Sequence, residues 1–164
     1  NTADLDKMTD SGKMGMVLLM VIGGSPGSTA GGMKTTTAAV LFAMAISVFR
    51  KNEQAHLYNR RIAEETQRNA ATIFVLYMML FTGSAMFISY LEKVPLVTAF
   101  FETGSAIGTV GLSLGLTPTL CLASRLVLIC LMFFGRVGGL TLIFATVSGK
   151  RTEYKYPQEK INVG

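Results

Sequence analysis

The chain has 164 residues, half of them hydrophobic, and a mean hydropathy of +0.45. That balance is high for a soluble domain of this size and points to a membrane protein. The net charge of +5 comes from basic residues beside the ends of apolar runs, diluted by Glu53, Glu64, Glu65, Glu153 and Glu159, a placement that argues against a nucleic-acid partner.

In chain order, residues 1–9 form a polar lead, and Asp4, Asp6 and Asp10 ahead of the first apolar run argue against a signal peptide. Residues 14–49 carry one charge, Lys34, over a length well beyond the roughly 20 residues that a span needs. The excess lies at 23–32, where five Gly and one Pro predict a break between an outer half-helix ending near Ile22 and an inner one starting near Lys34. A helix broken at membrane depth is a pointer to an ion or substrate site. The run 27–35 differs from a phosphate-binding P-loop by one inserted Met: Met33 moves Lys34 off the phosphate, and no Asp ends a nearby strand to hold magnesium. No enzyme and no catalytic residue is expected here.

Residues 50–68 are polar and carry Arg50, Lys51, Arg60, Arg61 and Arg68, which places them in the cytoplasm. His56, the single histidine, is expected on the solvated surface. Residues 70–91 hold no charge over 22 positions and predict one outward span, closed by Glu92 and Lys93 at an external turn. Pro95 is expected to open a short helix at its first position, carried inward over 96–107 until Gly108 ends it, with Thr117-Pro118 starting the next helix as N-cap and first turn. Between them Gly108, Thr109, Val110, Gly111, Leu112 and Ser113 would make a poor spanning helix and predict a loop at membrane depth. Irregular backbone is tolerated there only where protein buries it or where it lines a watery cavity, and carbonyls facing such a cavity are cation ligands. Glu102, in the short helix, is expected to bridge to backbone or side chains of neighbouring repeats, with attraction of cations near a pore as the other reading. From Leu120 the chain is expected to run inward to Gly149, past Arg125 and a mid-span Arg136, to a tail marked by Lys150, Arg151, Lys155 and Lys160. Cys121 and Cys130, nine apart on one helix, would lie about 13 Å apart on opposite faces and cannot pair.

Phe101-Glu102 with the run from Ser105 through Gly115 resembles the fourth pore repeat of the Ktr/Trk/HKT potassium-transport superfamily, closest to its KtrB membrane subunit. Gly23, Gly24, Ser25, Pro26, Gly27, Ser28, Thr29, Ala30, Gly31, Gly32, Met33 and Lys34 through Thr37 resemble the glycine-rich intramembrane loop of that family's third repeat. With Arg136 and residues 154–164, the likeness covers nearly the whole chain. It implies an all-α membrane protein built of a broken transmembrane helix followed by a helix, re-entrant pore helix and loop, helix repeat. The chain would be a C-terminal fragment: 1–68 the second half of the third repeat with its cytoplasmic linker, 69–149 the fourth repeat, and 150–164 a cytoplasmic tail.

The resemblance also implies a function: potassium uptake across the plasma membrane, a bacterial inner membrane, through a channel-like pore. Residues 108–113 would form the selectivity filter, with K+ on the carbonyls of Thr109, Val110 and Gly111. Residues 23–32 with Lys34 would form the gate loop, and Arg136 its latch. A mid-span Arg costs about 2.5 to 3.5 kcal/mol on insertion scales, so it is expected to face the carbonyls of that loop. No covalent cofactor is implied; K+ is the transported ion and Na+ a candidate activator. The implied partners are membrane lipid, the remainder of a four-repeat subunit, a second copy in a homodimer, and a cytoplasmic nucleotide-binding regulatory ring of the KtrA type. The alternative is a secondary transporter whose broken helices bind a small substrate.

Overall fold

A computed structural model describes residues 5–51, 55–57 and 60–138; the expected run to Gly149 and the tail lie outside the described residues. After one 3-10 turn at Leu5–Lys7, Thr9 caps helix α1 (Asp10–Ile22): its hydroxyl oxygen accepts the Gly12 N–H at 3.2 Å, and Asp10 complements the helix dipole in the first turn. Helix α2 (Thr35–Phe49) resumes on the far side of the glycines, so the long apolar run is broken where its composition predicts.

The intervening loop closes on itself. Gly23, at φ 74°, still donates to the Leu19 carbonyl, and the returning chain pairs Met33 N–H with Val21, Lys34 N–H with Ile22 and Thr35 N–H with Gly24 at 2.8 to 3.1 Å. That crossing admits no side chain: a Cβ on Gly32, itself at φ 84°, would lie 2.9 Å from the Gly23 Cα.

Two short strands, β1 (His56–Leu57) and β2 (Arg60–Arg61), pair antiparallel in the basic segment. This pairing departs from a purely helical expectation, yet two residues per strand leave the molecule overwhelmingly helical. His56 is exposed, as expected. Helix α3 (Glu64–Glu92) begins six residues ahead of the uncharged run and, at 29 residues, is about 43 Å long. Among the described residues it alone is long and apolar enough to cross a membrane.

Helix α4 (Leu96–Ile107) is the centre of the packing. Every residue from 101 to 108 is buried, and α1, α3 and α5 (Leu122–Val137) each lie against it. Phe101, Ile107, Tyr77, Ile88, Val17 and Leu131 are at most 2% exposed, and the Phe81 and Phe100 rings meet at 5.1 Å. Pro95 sits one position earlier than expected. It is the N-cap, with extended ψ of 140°, and its carbonyl accepts the Thr98 and Ala99 N–H groups.

The start of α5 corrects the expectation for Thr117. Residues Thr117–Thr119 make only a 3-10 turn, Leu120 is extended, and Cys121 is the N-cap of a helix that begins at Leu122. The reason is a distant partner: the Thr117 hydroxyl donates to the Glu102 carboxylate at 2.9 Å, while the Glu92 carboxylate takes the Cys121 N–H at the same distance. Cys121 and Cys130 are free and exposed. Gly138, at φ 84°, follows the last residue of α5, so Arg136 lies in the final turn of a helix and not at its middle.

Large apolar side chains line the outside, among them Leu19, Phe42, Phe49, Met79 and Leu122, each at least 70% exposed. A surface of this kind needs lipid or further protein against it.

The α4–α5 contact yields a stability prediction. A Cβ on Gly135 would sit 2.0 Å from the Ile107 carbonyl oxygen, whereas one on Gly83 meets nothing within 4 Å. Gly135→Ala should lower stability by about 1 to 3 kcal/mol, and Gly83→Ala should raise it by about 0.5 to 1 kcal/mol. Thermal unfolding in detergent checks the opposite signs, and equal behaviour of the two variants would reject this packing.

Candidate functional site

The site is built where α4 ends. The chain steps into the left-handed region at Thr109 (φ 52°) and again at Gly111 (φ 84°). The first step turns two donors back onto the helix: Thr109 N–H reaches the Ala106 carbonyl at 3.1 Å and Val110 N–H reaches Ser105 at 2.9 Å. Among the described residues, the carbonyls of Thr109, Val110 and Gly111 accept no backbone hydrogen bond. Gly111 is exposed and Val110 is 46% exposed, whereas Gly108 is buried. Free carbonyls beside the negative end of a helix favour a cation.

Gly108 is set apart from the other candidate filter positions, because its carbonyl is occupied. It accepts the Gly31 N–H at 3.2 Å, and the neighbouring Ile107 carbonyl accepts Gly32 N–H at 3.1 Å. Gly31 N–H also lies 2.8 Å from the Thr109 hydroxyl. The structure thus joins the glycine-rich loop to residues 107–109 across 78 positions of sequence. On the other side, the buried Glu102 carboxylate accepts from the Ser113 hydroxyl, from Leu114 N–H at 3.1 Å and from the Thr117 hydroxyl. It thus bridges groups 11 to 15 residues further along its own stretch of chain. Leu112 is half-buried against the core.

Within the loop, Gly31, Gly32 and Met33 form a buried root, Gly23 and Gly24 a half-buried one, and Ser25, Pro26, Gly27, Ser28 and Thr29 an exposed apex. Ser28 N–H closes a turn on the Ser25 carbonyl, and Ala30 N–H bonds the Ser28 hydroxyl. Two cations take the apex carbonyls. The Lys34 ammonium donates to Ala30 and, at 3.5 Å, to Ser28, so it is turned onto its own loop. The Arg136 guanidinium reaches across from α5 to the Thr29 carbonyl, in the segment where the cost of its charge leads one to expect it. A cavity of about 270 Å³ lies between these parts, lined by Ser105, Thr109, Gly111, Met132 and Arg136.

The sequence reading missed Gly135, whose small size lets α5 approach the Ile107 carbonyl, and Ser105, the acceptor for Val110. The only signal was a small residue beside Arg136, since Ser105 accepts through its backbone carbonyl.

The family described as TrkH, cation transport protein, matches residues 1–154. The potassium/sodium uptake protein NtpJ of Enterococcus hirae is 40% identical over 98% of this chain and 37% of its own length. The Ktr system potassium uptake proteins B of Bacillus subtilis and Vibrio alginolyticus are each 32% identical over the full chain, covering 37% and 36% of their own lengths. The chain therefore spans little more than a third of the length of these three relatives.

The two cations on the apex yield a prediction for loop dynamics. Arg136→Ala removes a charged donor from the Thr29 carbonyl and should speed amide hydrogen exchange over 28–30 by about tenfold or more. Exchange equal to the parent's, in folded protein, would show that Arg136 does not hold the loop.

Proposed function

The chain belongs to the TrkH family of cation transport proteins, whose relatives are transporters and not enzymes, and we propose that it supplies the last pore segments of a potassium-uptake subunit in the cell membrane. Residues 1–68 act as the second half of a third repeat, 69–149 as the fourth repeat with a re-entrant pore helix and loop, and 150–164 as a cytoplasmic tail. The carbonyls of Thr109, Val110 and Gly111 replace water around a dehydrating K+, with equivalent segments from the other repeats completing the ring. The Gly23–Gly32 loop with Lys34 forms a barrier on the inner side, and Arg136 latches it. The complete subunit pairs with a second copy and rests on a nucleotide-binding ring of the KtrA type, with Na+ as activator.

The observation that carries this reading is the polarity of residues 109–111, with the Thr109 and Val110 N–H groups bound inward and the carbonyls of all three left over at the end of α4. The same observation disfavours a broken-helix transporter for an anionic group, since such a site takes the positive end of a helix and here the negative end faces it.

Expressed as a complete subunit in cells that lack potassium uptake, the protein should restore growth at low K+. Gly111 holds φ 84°, so Gly111→Ser imposes strain of about 1 to 2 kcal/mol and should cut the preference for K+ over Na+ about tenfold. An unchanged bi-ionic potential would remove residues 109–111 from the filter. Deleting 25–30 should raise K+ flux with selectivity intact, and flux at or below the parent's, with normal insertion, would make the loop a binding element or filler.

A further inference from the structure

Glu102 lies on α4 six residues before Gly108, 4% exposed, with both carboxylate oxygens occupied. Oε1 takes the Ser113 hydroxyl and the Leu114 N–H, and Oε2 takes the Thr117 hydroxyl. The cluster is tied further by Gly115 N–H on the Ser113 hydroxyl oxygen at 3.0 Å, with the Thr117 and Ser113 hydroxyls 3.1 Å apart. A buried carboxylate without partners would be costly, and three neutral donors offset that cost. Only an acceptor-only group serves all three, since an amide of the same shape keeps one acceptor and brings two donors.

The consequence lies in what this clamp holds. The inner end of the 109–112 segment is fixed by the Thr109 and Val110 N–H groups on the Ala106 and Ser105 carbonyls. Its outer end is fixed through Ser113 and Leu114 on Glu102. Both anchors belong to α4, so the rise of one helix, about 4.5 Å between residues 102 and 105, sets the span available to the carbonyls between them. Glu102 does not meet the ion itself, because its oxygens are buried and occupied.

We infer that Glu102 is a specificity-determining positioning residue: by fixing Ser113, Leu114 and Thr117 it sets the carbonyl spacing of Thr109 to Gly111, and through it the preference for K+ over the smaller Na+. This rests on the filter reading above. The test uses the complete subunit, with K+ and Na+ uptake measured separately for apparent KM and maximal rate, and surface abundance measured in parallel. Losing one well-made bond to a charged group, Glu102→Gln and Ser113→Ala should each lower the ratio of Na+ to K+ apparent KM by about fivefold or more. Because both act through one contact, the double variant should be little worse than Glu102→Gln alone. A fall in maximal rate for both ions alike, at an unchanged KM ratio, would make the clamp merely structural and overturn the inference. If Glu102→Gln fails to reach the membrane, Ser113→Ala decides alone, and an unchanged ratio there overturns it. A parent subunit that moves neither ion would instead overturn the functional reading itself.

Discussion

The carbonyls of Ile107 and Gly108 are the constraint on which the rest depends. A helix ending inside a buried site leaves acceptors that water cannot reach, and these two are met by Gly32 and Gly31 of a segment far away in sequence. That pairing requires a backbone stripped of side chains at 31 and 32, which in turn requires the loop to cross itself at Gly23. On its other side α5 packs close to the same helix end, and Gly135 permits this by leaving no Cβ against the Ile107 carbonyl. Breaking the first apolar run answers the demand for hydrogen-bond partners, and the small residue beside Arg136 lets α5 pack against the same helix end.

From that arrangement follows a division of labour among neighbouring carbonyls. Those of residues 107 and 108 are spent on the loop, and those of 109–111 are left over once Thr109 and Val110 have turned their donors inward. The boundary between carbonyls bound by the loop and carbonyls left over falls at Thr109, the non-glycine residue at φ 52°, whose hydroxyl stands beside the Gly31 N–H. The loop shows the complementary economy. Its freed carbonyls at Ser28, Thr29 and Ala30 are met by Lys34 and Arg136, two cations that would each be expensive at this depth without acceptors.

What the sequence made legible was governed by local composition or by a large penalty. Five glycines in ten residues located the break, and the ends of α1 and α2 fell at Ile22 and Thr35. The cost of a guanidinium pointed Arg136 at the loop, and the cost of a buried carboxylate gave Glu102 partners. What stayed hidden depended on pairs that no local rule connects. Thr117 has the signature of an N-cap, but its hydroxyl goes to a residue 15 positions back, and the cap rule sees only the next turn. The position of Arg136 in a last turn followed from Gly138 taking positive φ, where the charge pattern alone suggested a continuous helix. The strand pair at 56–61 carries no alternation over more than two residues, too short a stretch for a period to be read.

The loop's hydrogen bonds divide it into a part that can move and a part that cannot. Gly31, Gly32 and Met33 are buried and hold three backbone bonds to α4 and α1, so releasing them would strand the Ile107, Gly108 and Val21 carbonyls together. The apex at 25–29 is exposed, and among the described residues its ties to the rest of the protein are the side chains of Lys34 and Arg136. Long cationic side chains can exchange one carbonyl acceptor for another at small cost, while buried backbone pairs cannot. In the proposed gating, opening is therefore a swing of the apex about a fixed root. Because the root contact at Gly31 includes the Thr109 hydroxyl, such a swing leaves the inner end of the filter in place. A motion that carried the root along would disturb both gate and filter at once.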